Sequence, residues 1–206
     1  MRRLGLAAAL AVSLGLPLAA QLDPATLPAH DSHQGILIAC DPVEDAARAK
    51  ERIGKDNPLK VGILPIDVYI RNSSKSPVAV TLDSIRLEVK RPGEQRDQLE
   101  PVALDDLTTE ILHPRPPSIS RRRIPSPFPQ VGRGGKWQEL HDKLESLSLE
   151  QAVVAPGATV HGFLFFDLNH QFDSIRYASL VVPDLKFLGN TQPLIFFEVD
   201  FAPPAH

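Results

Sequence analysis

The stretch VGILPIDVYIRNSSKSPVAV, residues 61–80, followed by SIRLEV at 84–89, decides the fold. From Val61 the apolar period is two. Ile66, Val68 and Ile70 alternate with Asp67, Tyr69 and Arg71, and after the polar turn NSSKSP, Ile85, Leu87 and Val89 alternate with Arg86, Glu88 and Lys90. Successive side chains of a strand point to opposite faces, so the pattern predicts strands with one face in the core and the other in water. Arg91-Pro92-Gly93 ends the second of them.

Working outward, GILIAC (35–40) reads as a short strand, and Asp41-Pro42 with Glu44 predicts a helix start. Asp41 would be the N-cap, Pro42 the first helical residue, and Glu44 the partner that closes a capping box. Val43, Ala46, Ala47 and Ile53 would share its buried face, Glu44 would pair with Arg48, and Gly54 would end it. Val102, Leu104, Leu107 and Ile111 recur at helical spacing, and Trp137, Leu140, Leu144 and Leu147 mark a second amphipathic helix with Glu139 and Lys143 paired on its polar side. GFLFF (162–166), apolar on both faces, predicts a central, fully covered strand. Tyr177 to Val182 is another, stopped by Pro183, and Ile195, Phe197, Val199 and Phe201 alternate along a last one.

The 206 residues include 20 prolines, about twice the usual share of roughly 5%. Proline breaks helix interiors and central strands, so many short elements are expected. The sum is a mainly β chain, an antiparallel β-sandwich with short helices in the connections, built as one domain over 34–202 after a flexible lead at 21–33. The run at 61–80, SIRLEV and VVAPGATVHGFLFF (153–166) together resemble exported bacterial Ig-like β-sandwich proteins of unknown function. The resemblance spans about 60–202 and implies architecture alone: it brings no catalytic residues, and the Cys, Trp, Cys framework of antibody-type domains is missing.

MRRLGLAAALAVSLGLPLAA (1–20) places two arginines before an apolar run and small residues after it, the layout of a secretory signal peptide cleaved near Ala20. That run is shorter than the ~20 apolar residues a spanning helix needs, so no transmembrane span is expected in the mature chain, which would be periplasmic or secreted. With one cysteine, Cys40, no intrachain disulfide can form. LIAC (37–40) has the look of a lipoprotein box, but its apolar run lies far upstream, and a buried thiol on a first strand is the expectation.

Few patterns carry chemistry. His30 and His33 would grip a metal if folded as one helical turn. DLNHQFD offers Asp167, Asn169, Gln171 and Asp173 as alternate oxygen donors, although Phe172 stands where an EF-hand needs Gly; a strand-connecting turn is the simpler role. His161 is the candidate base, with Asp167 or Asp173 as its partner, for a periplasmic hydrolase or metal-binding alternative. There is no Gly-x-Ser-x-Gly elbow, no phosphate loop in GRGGK (132–136) and no blue-copper Cys/His/Met set, so neither catalysis nor a cofactor is expected. Asn72-Ser73-Ser74 fits the N-glycosylation triplet.

PRPPSISRRRIPSPFPQVGRGGK (114–136) holds six prolines and six cations: Arg115, Arg121, Arg122, Arg123, Arg133 and Lys136. Without Arg2 and Arg3 the chain carries a formal charge of -5, so outside this arm it sums to -11. Export separates the arm from nucleic acid and from SH3 domains. What remains is an anionic envelope component or acidic protein, the chain's own acidic body or that of a second copy, or the role of a plain loop. The expected function is an exported, non-catalytic binding or envelope-assembly module.

Overall fold

The computed structural model describes residues 23–91, 93, 95–114, 134–150, 153–189 and 196–202. The signal-peptide reading (1–20) and Arg115, Arg121, Arg122, Arg123 and Arg133 lie outside the described residues, whereas Lys136 lies within them. In chain order the strands are Ala29–His33 (β1), Ile36–Pro42 (β2), Ile63–Asn72 (β3), Val78–Val80 (β4), Arg86–Val89 (β5), Asp97–Leu99 (β6), Val153–Val154 (β7), Thr159–Asp167 (β8), Ala178–Val182 (β9), Leu185–Phe187 (β10) and Phe197–Asp200 (β11). The helices are Ala46–Arg52 (α1), Leu104–Leu112 (α2) and Gly135–Leu147 (α3). The protein is mainly antiparallel β, with a few helices.

One sheet has the order β1-β2-β3-β8. The other strands form a second four-stranded sheet, β11-β9-β5-β6, and a three-stranded one, β10-β4-β7, joined along one interrupted ladder. The segment that contains β4 and β5 runs antiparallel to the segment that contains β9 and β10, and the pairing breaks only between Val80↔Leu185 and Arg86↔Val181. A 3-10 turn at Leu82–Ser84 faces Pro183, which has no N–H to donate. Thr81 N–H donates to Asp184 O across the break, 3.1 Å. β1 of the first sheet meets β11 of the second, where the His33 and Phe197 ring centroids lie 3.7 Å apart. Buried residues from Ala29 to Val199 form one connected cluster between and around these sheets.

Several expectations change. Residues 29–33, assigned to a flexible lead, form β1 and pair with β2 from Ala29↔Cys40 to His33↔Ile36. His30 and His33 therefore point to opposite faces and do not share a ligand: His30 Nδ1 faces Leu27 O at 2.6 Å while His33 packs on Phe197. The first helix starts later than expected. Asp41 and Pro42 are consumed by the ladder, opposite Asp67 and Ile66, and Asp45 caps α1 instead, its Oδ1 accepting from Ala47 N and Arg48 N at 2.9 Å each. Val43, Ala49 and Ile53 are buried, whereas Ala46 and Ala47 are exposed.

The second face of β3 does not meet water. Asp67 is 1% exposed and Tyr69 is buried. Arg52 of α1 lies on that face, 4.9 Å over the Phe163 ring, and Ala25 and Leu27 pack on Leu37, Ala39 and Tyr69 beside it. GFLFF is covered on both faces as expected, but β8 ends its sheet rather than sitting at its centre. Backbone donors from elsewhere occupy its outer carbonyls: Leu149 N to Phe163 O at 3.1 Å and Val102 N to Phe165 O at 2.7 Å. That crossing explains Gly162, where a Cβ would stand 2.5 Å from Leu149 N and Ser148 C. Only a residue without Cβ lets the two chains approach so closely.

Candidate functional site

On the covered face of the first sheet, one register row sets Asp41 opposite Asp67 and Asp67 opposite Phe163. Two adjacent carboxylates in an apolar setting need cations, because an unpaired buried charge costs several kcal/mol. α1 supplies them. Arg52 forks between the pair, donating to Asp41 Oδ2 at 2.9 Å and, through its other terminal nitrogen, to Asp67 Oδ2; Arg48 adds a bond to Asp41 Oδ2 at 2.7 Å. Asp67 also accepts from Tyr69 Oη at 2.8 Å, and its Oδ1 lies 3.2 Å from His161 Nδ1. The imidazole stacks on the Tyr69 ring, centroids 4.9 Å apart.

Burial, followed by the hydrogen bond to Asp67, pushes the Tyr69 hydroxyl up to about 12 from its ordinary value of 10.0. The folded protein therefore holds this proton more tightly than the unfolded chain. Its contribution is complete below pH 10 and is lost as pH rises from 10 towards 12. The urea midpoint of the wild type should fall more steeply across that window than that of Tyr69→Phe; parallel declines would contradict the assignment.

His161 is thus partnered by Asp67, not by Asp167 or Asp173. Its side chain is 53% exposed, and its described contacts are a carboxylate and a phenol ring, neither of which is a nucleophile paired to it. The arrangement orients the imidazole, and the hydroxyl of its ring neighbour Tyr69 is engaged by Asp67. Cys40 offers no substitute: it is buried in β2, and burial, followed by the charges of Asp67 and Asp41, pushes its thiol up. The Asp67 centre escapes sequence reading because its partners are 15, 2 and 94 residues away. The available signal was an acid on β3 at a position that the strand's other face would have to cover.

The Asp167–Asp173 turn uses its acids separately. Asp167 Oδ1 accepts from Asn169 N at 2.9 Å, and Asn169 and His170 take left-handed φ values of 50° and 62°, the self-capping behaviour of Asp and Asn in turns. Asp173 lines a groove of about 520 Å³ with Asp41, Glu44, Arg176 and Asp200. Partial burial there, then the charge of Asp173, hold the Glu44 carboxyl above its ordinary range.

The expected basic surface is reached through Lys136. This residue begins α3, and together with Lys55 and Lys143 it lines a cleft of about 500 Å³ between α1's exit loop and the α2/α3 pair. Ile111, Leu112 and Leu140 form its apolar floor, with Asp56 and Glu139 at its rim. Asp56 is engaged by Lys60 at 4.0 Å, so among the described residues lining the cleft Glu139 is the remaining acid beside three ammonium groups. Lys143 reaches over Gly54, where a Cβ would collide with its Nζ, instead of forming the expected pair with Glu139. The helices are locked by Trp137 Nε1 donating to Thr109 Oγ1 at 3.2 Å. Both ends of the arm, Pro114 after α2 and Gly134 before α3, enter at this pair of helices. Lys55 and Lys143 were missed because they are far apart in sequence and only the packing of α1 near α3 joins them.

Among the described residues no helix is long and apolar enough to cross a membrane. No family model matches the chain, and no curated protein does. Among solved structures, the chain is similar to a functionally unknown protein from Listeria monocytogenes EGD-e, at 15% identity and a TM-score of 0.37, over 84% of this chain and 80% of that one.

Proposed function

We propose that this protein is an exported, non-catalytic binding module of Ig-like sandwich build that holds an anionic, amphipathic component of the cell envelope. The observation that carries the reading is the convergence of Lys55, Lys136 and Lys143 on one apolar-floored cleft at the root of an arm with five further arginines and no acid between 115 and 133. Lysine binds phosphate as a mobile point charge, and an apolar floor below such charges suits a lipid phosphate better than an acidic protein. A cleft of this size lies within the ~300–1,000 Å³ of ordinary ligand sites. The two-layer arrangement of the strands supports the sandwich, and the signal-peptide layout supports export and a periplasmic or secreted setting.

Co-sedimentation with phosphatidylglycerol vesicles tests the reading, with phosphatidylcholine vesicles as control and a chain that begins at Gln21. At about 1 kcal/mol per lysine near an anionic surface, the Lys55→Gln, Lys136→Gln, Lys143→Gln triple variant should bind roughly a hundredfold more weakly. Replacing Arg121, Arg122 and Arg123 by Gln should weaken it further. Equal binding of both vesicle types would refute the anionic lipid as ligand, and wild-type binding by the triple variant would refute the cleft.

A further inference from the structure

His141 stands on α3 with its side chain 18% exposed and its ring stacked on Trp137, centroids 4.7 Å apart. Its Nε2 lies 3.1 Å from Asp105 Oδ1 on α2. Its Nδ1 is buried and has no hydrogen-bond partner among the described residues. The nearest carboxylate oxygen to it, Asp142 Oδ1, is 3.8 Å away, and one ligand atom each of His141, Asp142 and Glu145 lie within 4.8 Å of one another. Gln138 Nε2 donates to Asp142 Oδ1 at 2.6 Å and holds that carboxylate in place.

Asp105 fixes the tautomer. A carboxylate on Nε2 keeps the proton there and leaves a lone pair on Nδ1. Asp142 Oδ1 lies 3.8 Å from that nitrogen and the Glu145 carboxylate stands in the same cluster, a set of electron-rich groups that a cation among them would hold together. A proton on Nδ1 would not bridge the gap, since 3.8 Å exceeds the ~3.2 Å limit of an N–H···O bond. A metal would: two bonds of about 2.0–2.1 Å, opened to roughly 110–135°, set their donor atoms roughly 3.4–3.8 Å apart. The donor set, one imidazole and two carboxylates, is suited to Zn²⁺, and a carboxylate behind the imidazole is the recurrent orienting partner of a zinc-bound histidine.

From this we infer that His141, Asp142 and Glu145 form a divalent transition-metal site of the zinc class, with Asp105 as its positioning residue and water completing the coordination. The site is separate from the lysine cleft and does not depend on the lipid reading. It joins α2 to α3 beside the root of the arm.

Calorimetric titration of the purified chain with Zn²⁺ alone, after chelator treatment, tests it. One equivalent should bind and raise the melting temperature. Asp142→Asn and Glu145→Gln, both exposed and near-isosteric, should leave the circular dichroism unchanged and weaken binding at least tenfold each. Asp105→Asn should keep the stoichiometry and weaken affinity by about 10–100-fold, the usual cost of removing an orienting partner. Mg²⁺, which favours oxygen ligands, should not compete. A His30→Ala, His33→Ala variant should bind as the wild type does. The inference is overturned if no saturable Zn²⁺ binding occurs, or if binding persists unchanged in both Asp142→Asn and Glu145→Gln.

Discussion

Replacement of Asp67 by alanine should lower the free energy of unfolding by about 3 kcal/mol, the lower end of what breaking a buried ion pair costs. The carboxylate is 1% exposed and holds Arg52, Tyr69 and His161 at once. Its removal leaves the Tyr69 hydroxyl without its acceptor and Arg52 with Asp41 as its remaining carboxylate, 2.9 Å away; that remaining bond is why the loss is not larger. Urea denaturation should show the shift as a lower midpoint with an unchanged slope. Asp67→Asn, which keeps a polar acceptor, should lose less. A double variant with Arg52→Met should recover part of the loss, because it removes the stranded cation together with its partner.

Asn72→Ala should cost about 3 kcal/mol as well, through the loss of its side-chain hydrogen bonds at roughly 0.5–1.5 kcal/mol each. Asn72 is fully buried. Its amide nitrogen donates to Ser76 O at 2.8 Å and Val154 O at 3.0 Å, and its oxygen accepts from Ser74 N at 3.0 Å and Ser74 Oγ at 2.7 Å. All four hydrogen-bonding positions of the side chain are used, tying the turn after β3 to β7. Asn72→Asp should fare no better, since it would set a carboxylate against two carbonyl oxygens. The same burial removes the glycosylation reading of Asn72-Ser73-Ser74 in the folded state: the nitrogen that would carry a glycan faces Ser76 and Val154.

Strand content was legible because period-two alternation reports burial on one face, and it placed β3, β5 and β11 near their observed bounds. The same rule misjudged β3's other face. Alternation shows which residues differ, and says nothing of whether the polar row lies in water or under a helix that carries two arginines. Asp41-Pro42 illustrates a local signal overridden by tertiary pairing: a good helix start by composition, it continues β2 because Asp67 and Ile66 stand opposite. Pro183 was read correctly as a stop, yet the same proline marks the break in the ladder between β4–β5 and β9–β10, which no local signal revealed. His161 was singled out as a strand histidine, but Asp67 and Tyr69 reach it only through the β3–β8 register. Lys136 was the one cation of the arm within the described residues, and its partners Lys55 and Lys143 come from the packing of helices that sequence spacing does not relate.

In the proposed function a lysine cleft and its arginine-rich arm hold an anionic amphiphile. The most direct measurement of this is the affinity of the chain beginning at Gln21 for phosphatidylglycerol vesicles as ionic strength rises from 0.01 M to 0.15 M, where the Debye length contracts from about 30 Å to about 8 Å. Binding should weaken steeply in the wild type and much less steeply in the Lys55→Gln, Lys136→Gln, Lys143→Gln variant. Binding that is insensitive to salt, or a salt dependence identical in the two proteins, would contradict the account.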